Sequence, residues 1–228
     1  AGPMVMYWKF WRSSGKSATK LDAKYISQTA GQQGSHAPHV DRPNLHPYHD
    51  GLMDAFPAKH VFPQTTAVTA SGHLVLGGCD VVSLAGEYGT PLYIFDEQTL
   101  RERCQAFLRE FQGRYPNTRV IYASKAFTNL AMTRLLVDEG LGMDVASGGE
   151  MAAAKAGGMP PSKVYFHGNN KSRQELEEGV AWGVGRFVVD NFHELALLND
   201  VARKAGRTQD ILLRVSPNVD PHTHAYIS

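Results

Sequence analysis

The sequence has little cysteine, no long apolar run and almost no net charge, and each absence excludes a class of protein. Its only cysteines, Cys79 and Cys104, form no CxxC pair, so neither a disulfide framework nor a cysteine zinc site is predicted. No run of about 18 apolar residues is present, which excludes a transmembrane helix of the usual length. Its 23 Lys and Arg balance 22 Asp and Glu, so no basic surface for nucleic acid or an anionic membrane is indicated. We therefore expect a cytoplasmic protein without nucleic-acid or membrane partners.

The first 50 residues differ in composition from the rest of the chain. Residues 13–34 are rich in Ser, Thr, Gln, Gly and Lys, and Pro38, Pro43 and Pro47 interrupt any periodicity that follows. Such a segment buries too little apolar surface to offset its ordering entropy, so we predict a flexible extension over residues 1–50. It contains four of the ten histidines, but their proline-broken spacing favours a solvated tail over a metal site.

Residues 51–95 are predicted to contain short β elements. Val75 to Leu84 and Pro91 to Phe95 are apolar stretches bounded by glycine-rich turns. Asp96 is then predicted to cap a helix that runs to about Phe111. The apolar face of that helix consists of Leu100, Cys104, Phe107, Leu108 and Phe111.

A regular alternation of strands and helices follows. Strands are predicted at 119–123, 141–145, 163–166, 186–189 and 210–215, with helices at 129–139, 148–156, 173–182 and 192–204. Strand–helix units at this near-constant spacing require right-handed crossovers and a parallel sheet. The predicted class is therefore α/β, as a doubly wound sheet or a (β/α)8 barrel. No GxGxxG follows the first strand, which weakens the dinucleotide-binding alternative.

Polar residues follow the end of every strand in this series. They are Ser124 and Lys125 after the first, Asp144, Ser147 and Glu150 at the second, 167–171 after the third, Asp190 and Asn191 after the fourth, and Arg214 and Ser216 at the fifth. Functional residues of parallel α/β folds lie just beyond the carboxyl ends of the strands. We therefore predict an active site at this edge.

Lys125 is the sharpest candidate in this set. It directly follows an apolar strand, where partial burial would make its amine a competent Schiff-base nucleophile, although an ordinary surface lysine is an equal alternative. Asp144 and Glu150 could place such a lysine or transfer protons. Helix capping and compensation of the helix dipole at 148–156 are the alternative for both carboxylates, and they suit Glu150 better than Asp144.

The remaining candidates allow both structural and functional interpretations. His167 could be a structural hydrogen-bonding residue or part of a cofactor wall. Arg214 lies inside an apolar strand, so we expect a buried anionic or polar partner for it. The turn at Ser147 is at most a weak anion site. His222 and His224 have no third ligand near them, so no metal site is predicted.

Together these motifs resemble the diaminopimelate decarboxylase family, in the alanine-racemase-like class (fold type III) of pyridoxal 5'-phosphate (PLP) enzymes. The resemblance covers roughly residues 50–228. It rests on Tyr122-Ala-Ser-Lys125-Ala-Phe, Asp144-Val-Ala-Ser-Gly-Gly-Glu150, His167-Gly-Asn-Asn-Lys-Ser172, Arg214-Val-Ser-Pro-Asn-Val-Asp220 and His222-Thr-His-Ala-Tyr-Ile-Ser228.

The resemblance implies a PLP-binding (β/α)8 barrel in which Lys125 is the catalytic residue and carries the cofactor. It implies that Asp144, Ser147, His167 and Arg214 surround the cofactor. The implied reaction is decarboxylation of meso-2,6-diaminopimelate to L-lysine and CO2, the last step of lysine biosynthesis, in a homodimer. Another basic amino-acid decarboxylase or a racemase remains an alternative within the class.

The resemblance also implies a division into residues 1–50, residues 51–95 as β elements of the family's second domain, and residues 96–228 as an incomplete barrel of about five units. In the family, the glycine-rich phosphate loop, the acidic residue at the pyridine nitrogen and the C-terminal β domain come after the position of Ser228. We therefore expect a truncated enzyme that folds poorly and has little activity. A non-catalytic PLP-binding protein and a partial gene product are the alternatives of a different kind.

Overall fold

The structure is a computed structural model that describes residues 4–8, 24–27 and 59–216. The chain divides into two compact units, with the boundary between Arg103 and Cys104. The domain limits expected from the sequence, at residues 50 and 95, stay predictions. So does the flexible extension, most of which lies outside the described residues.

The first unit contains two small antiparallel sheets. One has the strand order β2-β1-β6 and the other the order β3-β4-β5. Their strands are β1 Met4–Trp8, β2 Lys24–Ser27, β3 Ala67–Val68, β4 Leu74–Leu76, β5 Cys79–Asp80 and β6 Tyr93–Asp96. Two short strands, β1 and β2, thus occur within the segment for which flexibility is predicted.

A helix replaces part of a predicted strand in this unit. The stretch expected as a strand over Val75 to Leu84 instead contributes to β4 and forms β5, which pair antiparallel across Gly77 and Gly78, and helix α1, Val81–Tyr88, follows. Asp80 Oδ1 accepts a hydrogen bond from Ser83 N at 2.9 Å, which satisfies a backbone donor in the first helical turn. This N-cap outweighs the β propensity of the paired valines.

Helix α2, Glu97–Arg114, begins where Asp96 predicts it. Asp96 Oδ2 accepts a hydrogen bond from Thr99 N at 3.1 Å, as an N-cap does. The helix continues one turn beyond the predicted end. Phe107 and Phe111, expected on its buried face, are 55% and 54% exposed and stack on each other with ring centroids 6.2 Å apart.

The second unit contains a five-stranded parallel sheet. Its elements are β7 Ile121–Ala123, α3 Leu130–Asp138, β8 Gly142–Val145, α4 Gly148–Ala156, β9 Val164–Phe166, α5 Arg173–Trp182, β10 Arg186–Val189, α6 Phe192–Lys204 and β11 Ile211–Leu213. The strands lie in sequential order from β7 to β11. A doubly wound sheet reverses its strand order, whereas a barrel does not. The α/β prediction is confirmed, and the sheet is part of a (β/α)8 barrel.

The two faces of this sheet differ in burial. Met143, Val145, Phe166 and Phe187 are 0% exposed, and the rings of Phe166 and Phe187 stack at 5.5 Å. Because side chains alternate along a strand, Asp144 points to the opposite face. The register places Asp144 beside Ala123 of β7 and Tyr165 of β9.

No helix in the described ranges is long and apolar enough to cross a membrane. Within the same ranges, no three His, Cys, Asp or Glu side chains are arranged to hold a metal ion. The four N-terminal histidines, and His222 and His224, lie outside the described residues.

Candidate functional site

Lys125 lies in a single 3-10 turn, Ser124–Ala126, directly after β7. Tyr122 Oη donates a hydrogen bond to the carbonyl of Phe127 at 2.9 Å, which ties the end of the turn back to the strand. Of the two alternatives left open for its environment, the structure shows the surface position and not partial burial, because Lys125 is exposed. Its side chain forms no hydrogen bond or ion pair with any residue that the structure describes, so its amine is available to a ligand.

Asp144 is a half-buried carboxylate one strand away from Lys125. Its Oδ1 atom is buried and accepts no hydrogen bond from the described part of the chain. Burial raises the pKa of this carboxyl above its ordinary value, while His167 lowers it, Glu150 raises it and Lys125 lowers it. An oxygen that has lost water without gaining a donor is suited to a ligand that brings one.

His167 is on the next strand end. Its backbone N–H donates to Val145 O at 2.7 Å, so the residue continues the β8–β9 pairing. Its Nε2 atom lies 3.8 Å from Asp144 Oδ1, and its side chain is 43% exposed. The ring therefore faces both the carboxylate and open space.

Ser147 is the N-cap of α4, with its Oγ accepting from Glu150 N at 3.2 Å. Glu150 Oε2 accepts from Ala146 N at 2.7 Å, which agrees with the capping interpretation of this carboxylate. Gly148 N donates to Glu175 Oε1 at 2.7 Å. Protein groups already occupy these donors at the helix N-terminus, so the turn serves capping, and contact of Ser147 with a cofactor stays a prediction.

Arg214 follows the last strand, β11. The expectation that it lies buried in a strand is wrong, because β11 ends at Leu213 and the Arg214 side chain is 62% exposed. Its Nη1 donates to Asp190 Oδ1 at 2.9 Å. Arg214 therefore has an anionic partner, at the surface.

The structure brings Lys125, Asp144 and His167 together on three adjacent strand ends, while Arg214 pairs with Asp190 on the two farther strands. Sequence reasoning missed a buried ion pair between Lys171 and Glu194. No local pattern in the sequence marks this pair, because its two members are 23 residues apart along the chain.

Comparison with known proteins identifies the family to which the chain belongs. Residues 97–228 match the family model described as pyridoxal-dependent decarboxylase, pyridoxal binding domain. The chain belongs to the pyridoxal-dependent decarboxylases. The chain is 47% identical over 164 residues to the diaminopimelate decarboxylase of Bacillus subtilis, covering 72% of this chain and 37% of that protein. It is 48% identical over 166 residues to that of Bacillus methanolicus, covering 73% of the chain and 38% of that protein.

Solved structures agree with these sequence relatives. The diaminopimelate decarboxylase of M. jannaschii in complex with L-lysine is 33% identical, with a TM-score of 0.63 over 72% of this chain and 38% of that chain. The Helicobacter pylori enzyme complexed with L-lysine is 32% identical, with a TM-score of 0.51 over 55% of this chain and 32% of that chain. The chain thus spans less than two fifths of the length of these relatives.

The residues present fit PLP, the cofactor of the family. The exposed amine of Lys125 can bind an aldehyde, and the unpartnered Asp144 Oδ1 can accept from a protonated group. Ser124 Oγ, beside Lys125, is likewise buried without a hydrogen-bond partner in the described ranges. These atoms converge on the strand ends at which barrel enzymes bind ligands.

Proposed function

We propose that the complete protein decarboxylates meso-2,6-diaminopimelate to L-lysine and CO2 with PLP as its cofactor. The observation that carries this proposal is that the exposed amine of Lys125 and the nearby Asp144 Oδ1 both lack a hydrogen-bond partner among the described residues. The choice of substrate is supported by relatives named diaminopimelate decarboxylase at up to 48% identity and by solved relatives that hold L-lysine.

We assign Lys125 to holding the cofactor. Its position after β7 lets the flexible side chain reach over the strand ends. The Lys125 amine would hold the cofactor through its aldehyde, and as a free amine it would hold a proton or move one to or from the reacting carbon.

Asp144 and His167 are assigned to orienting the cofactor ring. With Nε2 and Oδ1 at 3.8 Å, the two side chains form a polar wall beside Lys125. PLP supplies an electron sink for the pair released when the carbon–carbon bond to the departing CO2 breaks. A proton held by the Lys125 amine would then be delivered to the same carbon, which would give L-lysine. Arg214 and Ser147 are proposed to line the same edge.

The reaction is tested by offering diaminopimelate, lysine, ornithine and arginine to the purified complete protein and following CO2 release. We expect release from diaminopimelate with formation of L-lysine. Faster release from another amino acid would assign the protein to a different decarboxylase of the family. PLP binding without any release would make it a non-catalytic carrier.

Replacing Lys125 with Ala is expected to abolish covalent attachment of PLP, because no other side chain is assigned to that bond. Attachment is measured by the visible absorption of the protein and by mass after borohydride reduction. Lys155→Ala, which removes an exposed lysine from α4, is the matched control and should keep full absorption. Unchanged absorption in the Lys125 variant would contradict the assignment.

We further propose that the complete enzyme is a cytoplasmic homodimer, as the sequence resemblance implies. Light scattering of the purified protein at several concentrations tests the oligomeric state. A mass that stays at one subunit would contradict it.

A further inference from the structure

The buried lysine Lys171 lies in the loop that carries His167. Its side chain is 0% exposed, and that of its partner Glu194 is 4% exposed. Lys171 Nζ donates to Glu194 Oε1 at 2.7 Å, to Gly168 O at 2.6 Å and to Val188 O at 2.9 Å. An ammonium group has three hydrogens, and all three are used. Lys171 therefore has no free amine to offer a carbonyl and acts through its contacts.

One of these contacts fixes the backbone beside His167. The N–H of His167 is held by Val145 O, and the chain leaves the sheet at the next residue, Gly168, with φ +105°. A Cβ added at Gly168 would lie 3.0 Å from Ala146 O, so the loop approaches its neighbour closely. Because Lys171 holds the Gly168 carbonyl, it fixes the direction in which the chain departs and hence the placement of His167.

Glu194, the partner of Lys171, is connected to Arg214 through Asp190. Glu194 Oε2 accepts from Asp190 N at 3.1 Å, and Asp190 Oδ1 accepts from Arg214 Nη1 at 2.9 Å. A continuous series of contacts thus runs from Gly168 through Lys171, Glu194 and Asp190 to Arg214.

We propose that the buried pair Lys171–Glu194 positions His167 against Asp144, and through Asp190 also positions Arg214. Lys171 and Glu194 are positioning residues in this proposal, and neither contacts the cofactor. The proposal rests on the proposed function, since it concerns the same edge of the sheet.

The test removes both charges together in the complete protein, as Lys171→Met with Glu194→Gln. A single substitution would leave a buried charge unpaired, whereas the double variant leaves none and keeps an acceptor for Asp190 N. Lys171→Gln with Glu194→Gln is the second variant, because its amide can still donate to one or two of the three acceptors. Lys163→Met is the control. It removes a lysine whose Nζ donates to Gly140 O at 2.9 Å, at the opposite edge of the sheet.

The first measurement is the NMR titration of the Asp144 carboxyl without cofactor. Among the groups that act on this carboxyl, His167 and Lys125 lower its pKa and Glu150 raises it. If His167 moves away, Asp144 should titrate at higher pH in the Met/Gln variant, less so in the Gln/Gln variant, and as in the parent in the control. The second measurement is PLP affinity, expected to fall about tenfold or more, as when a supporting contact behind a ligand is lost.

A folded Met/Gln variant with the parent's Asp144 titration and PLP affinity would overturn the positioning role. Should that variant unfold, an unchanged Asp144 titration in the Gln/Gln variant would overturn it equally. Failure of the proposed function would give a different result from failure of the positioning role. In that case the parent protein itself would bind PLP independently of Lys125 or would not bind PLP at all. The cofactor-free titration is readable in either case.

Discussion

Burial and the neighbouring side chains of His167 and Lys125 have opposite effects on the pKa of the Asp144 carboxyl. Its neighbours Met143 and Val145 are 0% exposed, so the strand that carries it is in the core. Burial raises the pKa of the carboxyl, and the nearby His167 and Lys125 only partly oppose that effect. A carboxyl with these properties weakens the fold when it is ionised.

For this reason the stability of the protein should depend on pH through Asp144. The folded state holds this proton to higher pH than the unfolded chain does, so the free energy of unfolding falls as pH rises through the window that starts near the ordinary value of 3.8. In Asp144→Asn that part of the decrease should disappear, as measured by urea midpoints at a series of pH values. Asp210→Asn, which removes an exposed carboxylate, is the control, and parallel curves for the parent and Asp144→Asn would contradict the prediction.

Helix α5 packs on the sheet through a glycine. A Cβ added at Gly179 would lie 2.7 Å from Phe187 Cζ and 3.5 Å from Phe166 Cδ1. Both rings are fully buried, so neither has space to move. The close approach of helix to strand therefore requires glycine at this position.

Gly179→Ala should destabilise the fold by about 1–3 kcal/mol, because the overpacking outweighs the gain in helix propensity. Gly113→Ala in α2 is the matched control, since its added Cβ would meet nothing within 4 Å. The control should stabilise by about 0.5–1 kcal/mol. Chemical denaturation measures the free energy of unfolding of both variants. A more stable Gly179→Ala variant would contradict the prediction, because it would show that the rings of Phe166 and Phe187 move to accommodate the added methyl group.

At the scale of the whole molecule, the five-stranded sheet has β7 and β11 as its outer strands within the described residues. The β11 side carries exposed apolar residues, with Leu212 44%, Leu213 63% and Val215 75% exposed. Unpaired strand edges bearing apolar side chains promote pairing between molecules. The 228-residue chain produced on its own should therefore self-associate.

Leu213→Lys should reduce that self-association, because a lysine on an edge strand opposes edge-to-edge pairing. Light scattering of the chain against concentration measures the effect. Val61→Lys makes the same kind of change at a residue that is 68% exposed but lies in a 3-10 turn, and it should leave scattering unchanged. Equal reductions in the two variants would show that added charge, and not the strand edge, is responsible.

Much of the second unit could be predicted because its signals are local. The predicted bounds of α4, α5, β10 and α6 agree with the structure, since Ser147, Ser172 and Asn191 each provide a side-chain cap at the expected helix start. Helix α1 was missed because an apolar run after a turn fits a strand and a helix equally well. The capping contact at Asp80 decides between them.

The sequence by itself determined the α/β class, the family and the candidate residues Lys125, Asp144 and His167. Strand periodicity, helix caps and motifs each depend only on residues that are close together in the sequence. Only the tertiary structure decided that Lys125 and Arg214 are exposed, that Asp144 Oδ1 has no partner in the described ranges, and that Lys171 is buried. Lys171 and Glu194 are 23 residues apart along the chain. Burial and pairing over such separations depend on which strands become neighbours, and no local pattern encodes that.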